Sequence, residues 1–471
     1  MLVSRRHFLQ RSLAFSAGFA GFQTAVARQG ADFLASPADP AGGYGPLIPD
    51  PRGLFDLPEG FAYHVISRTG ERMDDGLLVP ARHDGMAAFP GPDGLTILVR
   101  NHEIEPAQRE PGAFGHEDEL LHRIDQRFLF DKGAGRGPSR GGTTTIVYDT
   151  RSGEAPGRVV RQFLSLAGTE RNCAGGPTPR NTWISCEESD AKAGGPFGRD
   201  HGWCFEVPAT TDIALARPEP IVPMGRFYHE ACATNPYSGA VYLTEDRHDG
   251  VLFRYLPDHR DRLHEGGRLQ ALRIVGKPKH DTRNWQGHPG MQVGERVAVE
   301  WIDVENVESP DDSLRYQAYE NGAARFARAE GMWHGRGAVY FACTNGGAAH
   351  CGQIFRYIPC PPDIEGTPAE ADIPGALELF LESPSPGVME NADNITVAPW
   401  GDLIVCEDGS EDQYLLGVTP KGDIYRIGRN AMNHYELAGS TFSPDGSVLF
   451  VNIQIPGMTL AIRGPWGRAA R

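Results

Sequence analysis

The chain has 471 residues, of which 45 are Lys or Arg and 61 are Asp or Glu, so its formal net charge is −16 at pH 7. This acidic balance argues against non-specific nucleic-acid binding, which depends on surfaces rich in Lys and Arg. Hydrophobic residues make up 40% of the chain, enough for a folded core, and 58 Gly and 37 Pro indicate many short strands and turns. These properties favour an all-β protein.

The first 27 residues are typical of an export signal. Adjacent arginines, Arg5 and Arg6, precede an apolar stretch over residues 12–22, and an Ala-Val-Ala sequence ends at Ala27. This order indicates a twin-arginine signal peptide, with an ordinary signal or a membrane anchor as the alternatives. We therefore expect the twin-arginine export machinery as a partner, a periplasmic or secreted location, and no membrane span in the mature form, because no later apolar run approaches ~18 residues.

Repeated strand pairs follow the signal. Residues 28–75 are rich in Pro and Gly and predict a surface arm, and residues 76–471 predict a single β-propeller catalytic domain. Within that domain a pair of strands recurs six times, each rich in Val, Ile, Tyr and Phe and bounded by turn residues. The paired segments are 95–103 with 143–149, 182–188 with 202–208, 240–246 with 250–257, 338–345 with 352–359, 402–408 with 422–427, and 447–452 with 458–462. Segments 104–142 and 258–325 predict insertions or long connections.

The repeats also predict how the units assemble. Six similar units that cannot each bury their faces alone are expected to stack radially. The prediction is an all-β fold, a six-bladed β-propeller, with an open sandwich or several small β domains as the alternatives. No heptad repeat or exposed apolar stripe stands out, so we expect a monomer.

The cysteines do not predict a disulfide framework. The chain has eight of them, and several, such as Cys173 and Cys186, lie in strand-like runs beside acidic residues or Asn. None forms a Cys-x-x-Cys motif. A protein that folds before export also folds in a reducing compartment.

Candidate ligands recur at the ends of the predicted hairpins. Four pairs share a spacing of 15 residues: Cys173 with Glu188, Glu230 with Glu245, Glu330 with Asn345, and Asp393 with Asp408. The start of one strand and the end of its antiparallel partner lie at the same edge of a sheet, so these groups should converge at one mouth of the propeller channel. The looser repeats add Asp84 with Asn101 or Glu103, and Glu436 with Asn452.

This convergence predicts a metal site. Many carboxylates in one mouth would repel one another and take up protons unless cations compensated them. Hard oxygen ligands suit Ca²⁺, while Cys173 would bring a softer or redox-active metal such as iron. The alternative is that these polar residues only hydrate a channel. Whether Glu230 or Glu245 is the direct ligand stays open.

The sequence around these positions resembles a known family. Gly-Thr-Glu-Arg-Asn-Cys-Ala-Gly-Gly-Pro-Thr-Pro over residues 168–179 and Gly-Arg-Phe-Tyr-His-Glu over residues 225–230 are similar to the signature of the PhoX family of exported alkaline phosphatases. Residues 182–188, 328–331 and 393–395 add to this resemblance, which runs from about residue 101 to residue 452. The chain departs from the family in its shorter length and in Arg-Asn, where Trp-Gly is expected, at residues 180–181.

The resemblance implies a six-bladed propeller, a twin-arginine signal, and a mixed centre of Fe³⁺ and Ca²⁺ that hydrolyses phosphomonoesters. It implies that Cys173 ligates iron, that four carboxylates share the iron and calcium ions, and that Arg328 holds the substrate phosphate. Those carboxylates are Glu188, Glu230, Glu330 and Asp393, and the spacing adds Glu245 and Asp408 as candidate ligands. His229 is a candidate for passing a proton to the leaving group, although a His beside a metal ligand more often orients that ligand.

Two other functions fit the pattern. A calcium-dependent lactonase or arylesterase would also use an acidic channel mouth, but its calcium site would not need the Cys173 thiolate. A non-catalytic propeller that binds metal or a partner is the second alternative.

Overall fold

The computed structural model describes residues 43–105, 110–135, 137–151, 157–285 and 290–467. The predicted signal peptide, residues 1–27, and the first part of the predicted arm lie outside the described residues. The described ranges form a mainly β fold with 26 strands and one α-helix. No helix within them has the length and apolar character needed to span a bilayer.

The strands are numbered in chain order. They are β1 Leu47–Ile48, β2 Phe55–Pro58, β3 Ala62–Arg68, β4 His83–Pro90, β5 Thr96–His102, β6 Gly141–Asp149, β7 Arg158–Thr169, β8 Asn172–Pro177, β9 Thr182–Glu187, β10 Cys204–Pro208, β11 His229–Thr234, β12 Val241–Glu245, β13 Phe253–Pro257, β14 Gly267–Ile274, β15 Arg296–Asp303, β16 Ala329–Gly335, β17 Ala338–Cys343, β18 Gln353–Ile358, β19 Ala376–Glu382, β20 Ala392–Val397, β21 Leu403–Glu407, β22 Tyr414–Val418, β23 Ile424–Asn430, β24 Leu437–Phe442, β25 Leu449–Ile453 and β26 Met458–Arg463. The helix α1 spans Leu314–Glu320, and short 3₁₀ helices cover Pro92–Gly94, Leu121–Arg123, Gln126–Phe128, Val222–Met224 and Pro368–Ala371.

The sheets are antiparallel and form a propeller-like ring. Three of them are small, with strand orders β4-β5-β6-β7, β10-β9-β8 and β24-β25-β26-β3, and a fourth has the order β1-β2-β23-β22-β21-β20. The fifth has nine strands and runs from β11 through β15 and β19 to β16. Its two end strands, β11 and β16, contact each other, so this sheet nearly closes on itself.

The first strands of the repeated units surround one axis. Strands β4, β8, β11, β16, β20 and β24 contact one another in that cyclic order, and β24 returns to β4. Their backbones approach closely because small residues stand on the facing sides. A Cβ atom on Gly176 in β8 would lie 1.9 Å from the carbonyl oxygen of Cys232 in β11, so only glycine fits there. Hydrophobic clusters fill the space between neighbouring sheets.

Five of the six predicted strand pairs are present. The hydrogen-bonded partners are β5 with β6, β9 with β10, β12 with β13, β17 with β18, and β25 with β26. The pairing of segment 402–408 with 422–427 is wrong, because β22 lies between β21 and β23. This short strand was missed because it contains Gly417, whose missing side chain makes room for the Tyr425 ring.

The arm and the long connections also carry strands. Strand β2 pairs with β23, and β3 pairs with β26, so residues 43–75 extend two sheets that belong to the end of the chain. Phe55 and Leu57 of β2 are buried there. Segment 258–325 contains β14, β15 and α1, and β14 continues the sheet beyond β13. Segment 104–142 has mainly turns and 3₁₀ helices where it is described.

Candidate metal centre

A β-bulge bends each inner strand of the ring near its start. In β4, for example, the ladder shifts between His83 and Met86, and in β20 it shifts between Ala392 and Ile395. Such a bulge turns a side chain away from its regular direction. The first bulged residue of five strands is a candidate ligand: Asp84, Cys173, Glu230, Glu330 and Asp393. In β24 the corresponding residue is Gly439, which has no side chain to offer.

These side chains converge with others from the ends of the second strands. Four groups of three have ligand atoms within 4.8 Å of one another: Asp84, Glu103 and Cys173; Cys173, Glu188 and Glu230; Glu230, Glu330 and Asp393; and Asp393, Asp408 and Glu436. Cys173, Glu230 and Asp393 each belong to two groups. The nine side chains therefore form one continuous set, which we call the acidic cluster.

Three members of the acidic cluster come directly after a second strand. Glu103 follows β5, Glu188 follows β9 and Asp408 follows β21. Their backbone N–H groups donate to the carbonyl of the residue just before the inner strand of the same hairpin, as Glu188 does to the Arg171 carbonyl at 2.9 Å. The predicted convergence of strand starts and strand ends is thus present at one edge of the ring.

Of the two glutamates that the sequence left open, Glu230 joins the acidic cluster. Its side chain is fully buried, and neither carboxylate oxygen has a hydrogen-bond partner among the described residues. The structure does not bring Glu245 to the cluster, because Glu245 Oε1 lies 3.4 Å from Arg315 Nη1 and its Oε2 accepts from the Val251 N–H at 3.3 Å. Asn345 is also elsewhere, with its side-chain amide 2.9 Å from His248 Nδ1.

The reason for this difference is the register of the hairpins. His229 pairs with Glu245, so the residue at the edge of that hairpin is Asp246, whose N–H donates to the Tyr228 carbonyl. Asp246 lies beside the cluster and was missed by the sequence analysis. A search for one equal spacing in all hairpins misses Asp246, because the loop of this hairpin is one residue longer than the loop between β8 and β9.

Two arginines form ion pairs with the acidic cluster. Arg328 donates from Nη2 to Glu330 at 2.7 Å and from Nε and Nη2 to Asp246 at 2.8 and 2.9 Å. Arg171 donates from Nη2 to Glu188 at 2.6 Å and to Glu103 at 2.9 Å. Both arginine side chains are partly exposed, 27% and 20% respectively, so they stand where the cluster meets solvent.

Polar residues on the second strands hold the backbone of the neighbouring inner strand. Asn101 Nδ2 donates to the carbonyls of Cys173 and Ala174, at 3.1 and 2.6 Å. Asn452 Nδ2 donates to the Asp84 carbonyl at 2.6 Å, and Thr244 Oγ1 donates to the Glu330 carbonyl at 2.6 Å. Asn101 and Asn452, two looser ligand candidates, therefore position ligand-bearing strands through hydrogen bonds to main-chain oxygen.

The electrostatics of the acidic cluster favour bound cations. Burial, followed by the charges of Glu330 and Glu188, raises the pKa of Glu230 well above its usual range. Burial and the charge of Asp408 raise the pKa of Asp393 to about 8, and burial with the charge of Asp84 raises that of the Cys173 thiol. Eight carboxylates face two paired guanidinium groups, so bound metal ions would supply the missing positive charge.

His229 has different partners from those expected. Its Nε2 lies 2.9 Å from the Gly225 carbonyl oxygen and its Nδ1 lies 3.4 Å from Cys204 Sγ. Both ring nitrogens are therefore engaged on the far side of β11 from Glu230. The structure does not bring His229 into the acidic cluster, and all eight cysteines, Cys204 included, are free thiols.

The fold and the cluster define a mainly β protein in which a propeller-like ring of sheets surrounds converging carboxylates and one thiol. The family model described as alkaline phosphatase PhoX matches residues 42–457. The chain belongs to this PhoX family, whose members are phosphomonoesterases, and the resemblance inferred from its motifs is confirmed. Membership implies metal dependence and phosphate ester substrates.

One solved structure shares this fold, and two others are more distantly similar. PhoX from Pseudomonas fluorescens, in complex with vanadate, a transition state analogue, matches with a TM-score of 0.65 and 18% identity over 89% of this chain and 98% of that chain. Gluconolactonases from Xanthomonas campestris and Pseudomonas aeruginosa match with TM-scores of 0.37 and 0.41 and identities of 11% and 12%. They cover 90% and 87% of this chain, and 98% and 93% of their own chains. No curated protein matches the chain.

Proposed function

We propose that this protein is an exported alkaline phosphatase that hydrolyses phosphomonoesters at a metal centre formed by the acidic cluster. The observation that carries the proposal is Glu230. Its two carboxylate oxygens are buried without a hydrogen-bond partner among the described residues, at the junction of two candidate ligand groups. An isolated buried carboxylate is strongly unfavourable unless a cation or a proton accompanies it.

The donor set fits two kinds of metal. Cys173 lies in both groups at one side of the acidic cluster, and a thiolate favours a softer, redox-active ion, so we assign Fe³⁺ to this side. The groups that contain Glu330 and Asp408 offer only oxygen donors, which suit Ca²⁺. Such ions, when bound, polarise phosphoryl oxygens and lower the pKa of bound water.

Arg328 is the residue that we expect to bind the phosphate group. The hydrogen bonds to Asp246 and Glu330 use its Nε and Nη2 atoms, and Nη1 has no hydrogen-bond partner among the described residues. The ion pairs fix the guanidinium plane at the solvent edge of the cluster. A fixed guanidinium can contact phosphate oxygens with little loss of conformational entropy.

Tyr228 shapes the same edge. Arg171 donates a hydrogen bond to its hydroxyl, and the Arg247 guanidinium lies 3.7 Å from its ring centroid. Because both arginines contact the Tyr228 side chain, their positions are coupled. We infer that Tyr228 orients these cations toward an entering dianion and limits the entry of water to the ligands behind it.

The six-bladed architecture and the cellular location belong to this proposal. Six inner strands in cyclic contact support six blades, with the nine-stranded sheet counted as two. The Arg5-Arg6 pair, followed by an apolar stretch, supports twin-arginine export to the periplasm or beyond. Export of a folded chain is compatible with loading metal before translocation.

The test combines activity with elemental analysis of the mature protein. We expect iron and calcium to copurify and p-nitrophenyl phosphate to be hydrolysed at alkaline pH. Cys173→Ser should lose iron, Glu330→Gln should lose calcium, and both should lose activity by on the order of 100-fold or more. Glu378→Gln is the matched control. Glu378 is a buried carboxylate on β19, outside the acidic cluster, and it pairs with Arg296 of β15 and Arg356 of β18.

Two outcomes would overturn the proposal. One is full phosphatase activity in both variants with their folds intact. The other is a metal-loaded protein that hydrolyses lactones but not aryl phosphates, which would favour the lactonase alternative.

A further inference from the structure

A second set of metal-binding side chains lies in the apolar core, apart from the acidic cluster. Cys186 is in β9, Cys204 is in β10, and His229 and Cys232 are in β11. All four side chains are fully buried, and the three thiols belong to one hydrophobic cluster between the sheet of β8–β10 and the sheet that begins with β11. No step of the proposed phosphatase function uses them.

The distances match those of a tetrahedral site. Cys186 Sγ lies 3.6 Å from Cys204 Sγ, and Cys204 Sγ lies 3.4 Å from His229 Nδ1. All three atoms are within 4.8 Å of one another. Around a tetrahedral Zn²⁺ with metal–ligand distances of about 2.3 Å for sulfur and about 2.0 Å for nitrogen, the ligand–ligand separations would be roughly 3.8 and 3.5 Å.

The imidazole of His229 is oriented as a metal ligand requires. A carbonyl oxygen can only accept, so the 2.9 Å contact of Nε2 with Gly225 O places the ring hydrogen on Nε2. In the neutral ring the lone pair is then on Nδ1, which points at the thiols. Metal-bound histidines commonly donate their other N–H to a backbone carbonyl in this way. The Phe227 ring, with its centroid 3.5 Å away, keeps the imidazole in this plane.

Cys232 belongs to the same hydrophobic cluster as Cys186 and Cys204, but it is not among the three residues whose ligand atoms lie within 4.8 Å of one another. Sulfur and imidazole donors without a carboxylate select thiophilic ions such as Zn²⁺ and do not suit Ca²⁺. Two thiolates would balance the charge of a dication, which an apolar core requires of any ion that it holds.

We propose that Cys186, Cys204 and His229 bind a structural zinc ion. The ion would join β9 and β10, which belong to a sheet of only three strands, to β11 of the neighbouring sheet. The ion would also fix two segments of the acidic cluster, because Glu188 follows the strand of Cys186 and Glu230 follows His229. The site therefore ties the ring together behind the catalytic carboxylates.

Elemental analysis of the full mature chain, purified from zinc-supplemented cells, tests the proposal. We expect one equivalent of zinc that is lost in Cys204→Ser and in His229→Gln. Cys343→Ser, a change at a fully buried cysteine in β17, and Cys173→Ser, in the acidic cluster, should both retain it. Substitution of Co²⁺ should give the visible absorption of tetrahedral thiolate coordination in the wild type and lose it in Cys204→Ser.

A measurement on the wild-type protein covers the case in which these variants do not fold. Alkylation followed by mass spectrometry should find Cys186 and Cys204 protected until a zinc chelator is added. The proposal is wrong if the zinc content does not change in Cys204→Ser. It is also wrong if Cys186 and Cys204 are free and the wild type holds no zinc, or if these two cysteines, which face each other across β9 and β10, are found as a disulfide.

Discussion

Glu230 and Glu245 show how two identical residues in one hairpin acquire opposite roles. Glu245 lies within the ladder and meets the Arg315 guanidinium, which compensates its charge. Glu230 lies in the bulge of β11 and faces other acids without a compensating partner among the described residues. The difference arises from local backbone geometry, since both side chains are fully buried.

A matched pair of variants separates these roles. Glu230→Gln should lower metal content and reduce phosphatase activity by on the order of 100-fold or more, because the bulge position would no longer offer a charged ligand. Glu245→Gln should retain the metal but unfold at a lower temperature, because it removes one of the three carboxylates that pair with the buried Arg315 side chain. Metal analysis, p-nitrophenyl phosphate assays and thermal unfolding of both proteins are the measurements. Equal metal loss in the two variants would contradict the assignment.

At the scale of the element, the bulged inner strand is the unit that builds the cluster. Regular pairing would direct successive side chains to opposite faces of the sheet, whereas the bulge turns one of them toward the axis. Close approach of neighbouring backbones then sets the spacing between ligands. In β16, a Cβ atom on Gly331 would lie 2.5 Å from the Asp393 carbonyl oxygen and 2.6 Å from Asn394 Cα.

Gly331→Ala therefore tests the spacing of the inner strands. The added methyl group should push β16 away from β20 and displace Glu330 and Asp393 together, at a stability cost of about 1–3 kcal/mol. We expect weaker calcium binding and a loss of activity that excess calcium partly restores. Gly387→Ala is the control, since no atom lies within 4 Å of a Cβ there and its backbone is not left-handed. Wild-type calcium affinity in Gly331→Ala would refute the argument.

The strands were easier to predict than the ligand register. Alternating Val, Ile, Tyr and Phe marked most hairpins, because burial of one face imposes that pattern on the sequence. The equal spacing of 15 residues identified Cys173 with Glu188 and Asp393 with Asp408, whose hairpins have the same length. It failed where the loop length differs. The hairpin in which His229 pairs with Glu245 is one residue longer, and the hairpin in which Ala329 pairs with Cys343 is one residue shorter. Loop length and bulges set register, and neither leaves a reliable composition signal.

On the scale of the whole molecule, the acidic surplus of the chain is partly gathered at one place. The cluster members come from residue 84 to residue 436, so nearly the entire described chain contributes to it. Without metal ions, folding forces these carboxylates together, and the folded state binds protons that the unfolded chain would release. The stability of the protein is thereby linked to both metal and pH.

Metal removal should make this linkage visible. In the metal-free folded state the pKa of Asp393 is about 8, raised from an unfolded value of 3.8, and those of Glu230 and Glu330 are also raised. The folded state then holds more protons than the unfolded state, so stability falls as pH rises from about 4 to about 8. We expect the Tm of chelator-treated protein to drop by at least ~5 °C over this range, and added calcium to restore it. A Tm that is constant or rises with pH would contradict this.

The pairing of β3 with β26 has a consequence for biosynthesis. Thr69 N–H donates to the Gly457 carbonyl at 2.9 Å, a bond between residues 388 positions apart in the chain. The ribosome synthesises β26 long after β3, so β3 has no partner strand on this side until β26 has been made. Until then, unpaired strand edges at both ends are open to wrong association. Closure of the ring, and with it assembly of the acidic cluster, therefore depends on the synthesis of β26.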